Sequence, residues 1–203
     1  QQEKIKLNLM VKLTGLKKIK TAVFISGTGS NLKNLIQFSK IKKSPITIDL
    51  IISNTSKAKG LIFANEFKIK KRIFRFKNPR NDEKKILKLL KNENIQLICL
   101  AGFMKILSKN FIKEFIGKII NIHPSLLPKY KGVNTHVRAI NNKDKFAGCT
   151  VHYVTAKLDS GKIILQKKIK ISLKEKSTSL AKKVLKQEHK LYPAAIMLSL
   201  IHI

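Results

Sequence analysis

Acidic residues are scarce in this chain: 11 aspartates and glutamates stand against 43 lysines and arginines, a formal charge of +32 over 203 residues. Tryptophan is absent and aromatic residues make up only 6%. So much positive charge rewards contact with phosphates through counterion release. Binding of single strands, however, also leans on rows of stacking rings, and the lysines run from Lys4 to Lys190 without gathering into one basic arm. The composition therefore favours a solvated surface and anionic small-molecule substrates over a nucleic-acid-binding module. Only two cysteines occur, Cys99 in IQLICLAG and Cys149 in FAGCTVHYV, with no Cys-x-x-Cys pair. That spacing argues against a zinc or redox centre and for buried free thiols in a reducing, cytoplasmic compartment.

Long apolar runs are missing too. No stretch approaches the roughly 20 residues of a membrane-spanning helix, so no membrane partner is expected. The opening QQEKIKLNLMVKLTGLKKIK is basic but has no apolar signal core or small-residue cleavage site. Residues 1–18 read as an N-terminal extension that is expected to be poorly ordered, and residues 19–203 as a single domain.

What is present is an alternation of strand and helix patterns. KTAVFIS (20–26) reads as a buried strand ending at a glycine, and SNLKNLIQFSK (30–40) as a helix with Leu32, Leu35 and Ile36 on one side and Ser30 as its cap. ITIDLIIS (46–53), KKRIFRF (70–76), IQLICLAG (95–102) and KIINI (118–122) read as further strands, with helices over 59–67 and 81–94 between them. Asp82 and Glu83 suit the positive start of the 81–94 helix. Continuous apolar strands separated by helices predict an α/β fold: an open, mostly parallel twisted sheet with helices on both faces. After residue 145 the pattern changes. GCTVHYVT (148–155) alternates with period two, and KIILQKKIKIS (162–172) follows the turn LDSG, which predicts antiparallel strands at the edge before a closing helix over about 176–199.

Ligands of open α/β sheets bind beyond the C-terminal strand ends. That rule gathers GTGSN (27–31), AGFMKIL (101–107) and NIHPS (121–125) around one crevice. The glycines and free N–H groups of GTGSN suit a phosphate, although neither a full G-x-G-x-x-G nor a Walker lysine is present, and a purely structural strand-to-helix turn remains open. His123 has no second ligand at metal spacing, so no metal is expected. Asn121 and His123 fall on one side of an extended backbone, placed for acid–base work at a reacting carbon. Asp159 in LDSG could orient that imidazole and favour its protonated form, or simply cap its own turn. Glu188 follows Val184 by one helical turn, on the side of Leu180, and reads either as a ligand contact or as a helix-edge acid beside a lysine.

Taken in order, VFISGTGSNL, LAGFMKIL, NIHPSLLPKYKG, THVRAI, GCTVHYVTAKLDSG, ILQ and QEHKLYP closely resemble the phosphoribosylglycinamide formyltransferases, over about residues 20–195. The resemblance implies a Rossmann-like formyltransferase fold. It also implies transfer of the formyl group of 10-formyltetrahydrofolate, a co-substrate, to the amine of glycinamide ribonucleotide, without a metal. Asn121, His123 and Asp159 would be the catalytic set. Gly29, Ser30 and Asn31 would hold the substrate phosphate, and Glu188 the glycinamide end. Met104, Lys105, Ile106 and Leu107 would line the folate pocket, with Arg80, after a one-residue shift in alignment, near the folate tail. The chain departs from the family at Asn134, where a histidine is common, and at Lys105, where arginine is usual. Members also commonly continue past the last helix. Methionyl-tRNA formyltransferases share the Asn-x-His…Asp set but carry a tryptophan and a Gly-Ala-Ala-Pro-like run after SLLP; formyltetrahydrofolate deformylases add an N-terminal regulatory domain. The third alternative, a non-catalytic basic nucleic-acid-binding module, explains none of the shared motifs.

Overall fold

The computed structural model describes residues 18–200; all of the expected N-terminal extension except Lys18 lies outside them, as do residues 201–203. The strands are β1 (Ile19–Ile25), β2 (Ile46–Ser53), β3 (Lys70–Ile73), β4 (Leu97–Leu100), β5 (Lys118–His123), β6 (Phe146–Tyr153) and β7 (Ile163–Lys170). The helices are α1 (Ser30–Lys40), α2 (Leu61–Glu66), α3 (Pro79–Asn92), α4 (Lys109–Glu114), α5 (Thr135–Asn141) and α6 (Ser177–Ser199). The strands form one sheet in the order β3-β2-β1-β4-β5-β6-β7, parallel as far as β5 and antiparallel through β6 and β7. This is the expected architecture. The order reverses between β1 and β4, which puts the ligand crevice beyond their C-terminal ends.

β1 shows why the parallel strands lack alternation. Val23 and Ile25 enter one apolar cluster with Leu32, Leu35, Leu180 and Val184. Ala22 and Phe24 enter the other, with Ile86, Leu90 and Phe111. Both faces are covered, so both faces are apolar. The two sheet edges are guarded by charge: β3 carries Lys70, Lys71 and Arg72, and β7 carries Lys167, Lys168 and Lys170. Cations on an unpaired edge oppose strand addition from another chain.

Two features hold the helices at the crevice. Pro193 lies inside α6 and has no N–H for the carbonyl of His189; the Asn34 side-chain amide donates to that carbonyl at 2.8 Å instead, tying α1 to α6. The turn after β1 is as tight as its glycines suggest. Gly29 has φ 77°, and a Cβ on it would stand 2.5 Å from the Gly60 Cα. The expected Ser30 cap is not formed: Gly29 is the N-cap residue of α1, no side chain caps that end, and Ser30 lies in the first turn. α4 and α5, of six and seven residues, are not among the helices expected from sequence.

Gly60 has an ordinary helical φ of −61°, yet a Cβ there would meet the Gly29 Cα at 2.7 Å. Gly60→Ala should therefore lose about 1–3 kcal/mol through overpacking alone. Urea unfolding at an unchanged m-value measures it, and a variant as stable as the parent would refute the close approach.

Candidate active site

The pleat of β5 sends Ile120 and Ile122 into the core and Asn121 and His123 to the opposite face. β6 lies antiparallel beside it with His152 directly opposite Asn121. Beyond β6 the LDSG turn folds back hard: a Cβ on Gly161 would fall 1.7 Å from the Tyr153 carbonyl oxygen. Asp159, held at φ 43°, is returned by that turn to the strand ends. Its Oδ2 is 3.5 Å from His123 Nδ1 and its Oδ1 is 3.7 Å from His152 Nε2, with the carboxylate side chain only 8% exposed. The backbone N–H of Gly132 donates to the same Oδ2 at 2.9 Å. The three residues singled out from sequence are thus brought together, and Asp159 does more than cap its own turn.

The hydrogen bonds assign the tautomers. His152 Nδ1 donates to the Tyr153 carbonyl at 2.8 Å, which leaves Nε2 as an acceptor for the Asn121 Nδ2 at 3.2 Å. The ring is neutral in this arrangement, and burial above all pushes its pKa down. His152 therefore fixes which way the Asn121 amide faces and leaves one N–H of that amide free. His123 Nε2 donates to the Tyr130 carbonyl at 2.8 Å. Its Nδ1 can meet the Asp159 carboxylate as a donor only when the ring carries both protons, and at 3.5 Å this is the looser of its two contacts. His152 was not singled out from sequence. The signal was there: in GCTVHYV, Thr150 and His152 fall on the face opposite core residues Cys149 and Val151.

Across the crevice, α1 and α6 meet through polar pairs. Asn31 Nδ2 donates to Glu188 Oε2 at 2.7 Å, and Ser30 Oγ lies 2.6 Å from His189 Nε2. Glu188 is 7% exposed, and burial raises its pKa against the opposing Asn31 bond. The helix-edge reading of this acid, with a lysine partner, does not hold. With the Ser30 and Asn31 side chains engaged by α6, the free groups at this helix start are backbone N–H donors.

The third arm is the loop after β4, which exposes Met104 (66%) and Ile106 (70%) and buries Leu107 (4%); Lys105 is exposed between them. The Leu107 side chain packs in the apolar cluster with Phe24 and Phe111. Arg80 is exposed in the first turn of α3. Asn134 is exposed at φ 58° at the start of α5, a conformation that asparagine tolerates better than most residues. A concavity lined by Ser125, Tyr130, His136 and Asp144 includes none of the three predicted catalytic residues. Both cysteines are free and buried, with thiol pKa values pushed up to about 12, foremost by burial. Among the described residues no cluster of His, Cys, Asp and Glu could hold a metal ion, and no helix is long and apolar enough to cross a membrane.

A mostly parallel sheet with an amide, two histidines and a buried carboxylate gathered at its strand ends makes this an α/β protein with a polar site suited to proton transfer. A formyl transferase family model matches residues 19–196. The phosphoribosylglycinamide formyltransferase of Haemophilus influenzae is 41% identical over 180 residues, covering 87% of this chain and 85% of that protein. The trifunctional purine biosynthetic protein adenosine-3 of Homo sapiens is 41% identical over 185 residues, 90% of this chain but 18% of that protein, so the chain spans under a fifth of such relatives. The crystal structure of phosphoribosylglycinamide formyltransferase from Brucella melitensis superposes with a TM-score of 0.84 at 40% identity, covering 89% of this chain and 95% of that one. The chain belongs to the formyl transferase family.

The buried histidines set a pH dependence. His152, His136 and His189 all have pKa values lowered from 6.5, each chiefly by burial. As pH falls below about 6.5 the unfolded chain takes up protons that the folded one resists, so stability is lost. Glu188 acts in the opposite sense: its folded pKa lies above 4.5, so its contribution falls as pH rises through that range. Stability in urea should rise from pH 5 to pH 7, and Glu188→Gln, which removes the opposing group, should steepen the rise. A flat profile, or a shallower one in the variant, would contradict these assignments.

Proposed function

We propose that this chain transfers the formyl group of 10-formyltetrahydrofolate to the amine of glycinamide ribonucleotide, as a cytoplasmic enzyme whose catalytic unit is one domain from residue 19 onward. The observation that carries the proposal is the convergence of Asn121, His123 and Asp159 at the end of β5, in a chain of the formyl transferase family. Attack of the amine on the formyl carbon makes a C–N bond and places negative charge on the formyl oxygen. The free N–H of Asn121, its amide held by His152, is available to that oxygen. His123 supplies a second donor by exchanging its long Asp159 contact for the oxyanion. As the bond from carbon to the folate nitrogen breaks, the proton lost by the attacking amine must reach that nitrogen, and Asp159 with His123 provides a route.

Binding follows the same three arms. The backbone N–H groups of Gly29, Ser30 and Asn31 start a helix that favours an anion, which suits the ribonucleotide phosphate. Glu188 gives Oε2 to Asn31 and keeps Oε1 to accept from the glycinamide end. Met104 and Ile106 offer apolar contact to the folate ring with Lys105 between them, and Arg80 with the chain's general positive charge suits its anionic tail.

The charge of +32 leaves one competing acceptor, a methionyl-tRNA. Incubating the protein with the formyl donor and each acceptor in turn, and following tetrahydrofolate release, separates the two. Turnover is expected with glycinamide ribonucleotide. His123→Ala and Asp159→Asn should each lower kcat by about 10²–10⁴. Turnover with the tRNA alone would overturn the assignment.

A further inference from the structure

We infer that Glu83 and Ser26 are positioning residues that set affinity for the folate co-substrate, an inference that rests on the proposed seating of folate on the loop after β4. From sequence Glu83 reads as an acid favouring the positive helix start. The structure gives it another task. It is 6% exposed, and both of its oxygens are taken by one residue outside α3: the Ser108 N–H donates to Oε1 at 2.8 Å and the Ser108 hydroxyl to Oε2 at 2.5 Å. Among the described residues it forms no ion pair, in a chain with 43 cations. The Ser108 hydroxyl also accepts from the Phe111 N–H and so caps α4. A buried carboxylate is costly unless it is hydrogen-bonded, and here the bonds are spent on the C-terminal end of one loop.

The other end of that loop is tied as well. Ala101 N–H donates to the Phe24 carbonyl at 2.9 Å, and the chain then turns at Gly102 with φ 72°. The Met104 N–H donates to Ser26 Oγ at 2.7 Å, at the end of β1. Between the ties, the Phe103 ring meets Phe24 and Phe76 edge-on at 5.3 and 5.6 Å, and Leu107 is buried. Met104 and Ile106 are thereby exposed on a backbone held from both sides rather than by packing of their own side chains. A ligand resting on those two side chains meets a surface that is already ordered, which lowers the entropic cost of binding. The phosphate and glycinamide arms, on α1 and α6, share none of these bonds.

The experiment is steady-state kinetics with each substrate varied in turn, alongside amide hydrogen exchange at Met104 and Ser108 in the free protein. Glu83→Ala should raise KM for 10-formyltetrahydrofolate about tenfold, leave KM for glycinamide ribonucleotide within about twofold, and speed exchange at Ser108. Glu83→Gln keeps an acceptor for the Ser108 N–H and should recover most of the loss. Should Glu83→Ala fail to fold, Ser26→Ala releases the loop at its other end without touching a buried charge and carries the same selective expectation. Ile106→Asp tests the seating of folate itself. If it raises the folate KM while the two positioning variants leave it unchanged, the inference fails and the seating stands. If none of the three changes it, the seating fails and takes the inference with it. Equal rises in both KM values, or a Gln variant no better than Ala, would reduce Glu83 to a general structural role.

Discussion

One phenol holds the crevice together. Tyr192 is fully buried, and its hydroxyl lies 2.9 Å from the Leu100 carbonyl and 3.2 Å from that of Ile120. The first is the last carbonyl of β4 before Ala101 opens the Met104 loop, and the second immediately precedes Asn121 within β5. Tyr192 also stands one helical turn after Glu188. A single donor shared by two acceptors therefore fixes the slide and rotation of α6 against β4 and β5, and with it the separation of Glu188 from Asn121. A buried hydroxyl left without partners would cost about 1–3 kcal/mol, so other registers of this helix are disfavoured. Asn34 reinforces the choice one residue beyond, where Pro193 frees the His189 carbonyl and Asn34 takes it up.

The charge distribution has a logic that the net value hides. Among the described residues, the ion pairs with lysine each put the lysine at the surface: Lys129 with Asp144, Lys183 with Glu175 and Lys70 with Glu93. Such exposed pairs contribute little. The three acids nearest the crevice avoid lysine. Asp159 takes the Gly132 N–H and faces the rings of His123 and His152, Glu188 takes a side-chain amide, and Glu83 a serine. Uncharged donors satisfy a buried carboxylate without neutralising it, so its field stays available to whatever binds. A lysine at any of the three would cancel that field, and in a chain this basic the exclusion of lysine is as much a part of the site as the acids themselves.

How much of this was legible beforehand follows the range over which each feature is encoded. α1 and β2 match their expected bounds, and α6 begins one residue later than read, because a long apolar pattern is a local property. β4 is shorter than IQLICLAG suggested: the strand is Leu97–Leu100, with two residues of that run falling outside it at each end. Asn121 and His123 could be picked out because period two is local as well. The Asp159 contact could be suspected but not shown across 36 positions, and it depends on the pressure of Gly161 against Tyr153, which no pattern encodes. The partners of Ser30 and Asn31 lie more than 150 positions away, so the engagement of these two side chains by α6 was beyond the reach of any local pattern. Glu83 was misjudged for a related reason: an acid near a helix start satisfies a local rule, and the local rule masked a contact with Ser108.

The end of β1 carries a double duty that explains why its sequence is so compact. Ser26 ties the Met104 loop, and only three residues later Gly29 forms the N-cap of α1 while crossing Gly60. On the proposed assignment, the folate arm and the phosphate arm are rooted at one strand terminus, which sets their spacing even though each is held by its own bonds. Asn121 stands two strands away, beyond β4, and Tyr192 bonds the carbonyl just before it. Formyl transfer needs donor and acceptor carbon and nitrogen within about 3–3.5 Å. Two binding arms rooted in the same few residues meet that tolerance more securely than arms on separate loops, because any residual motion of β1 displaces both reactants together.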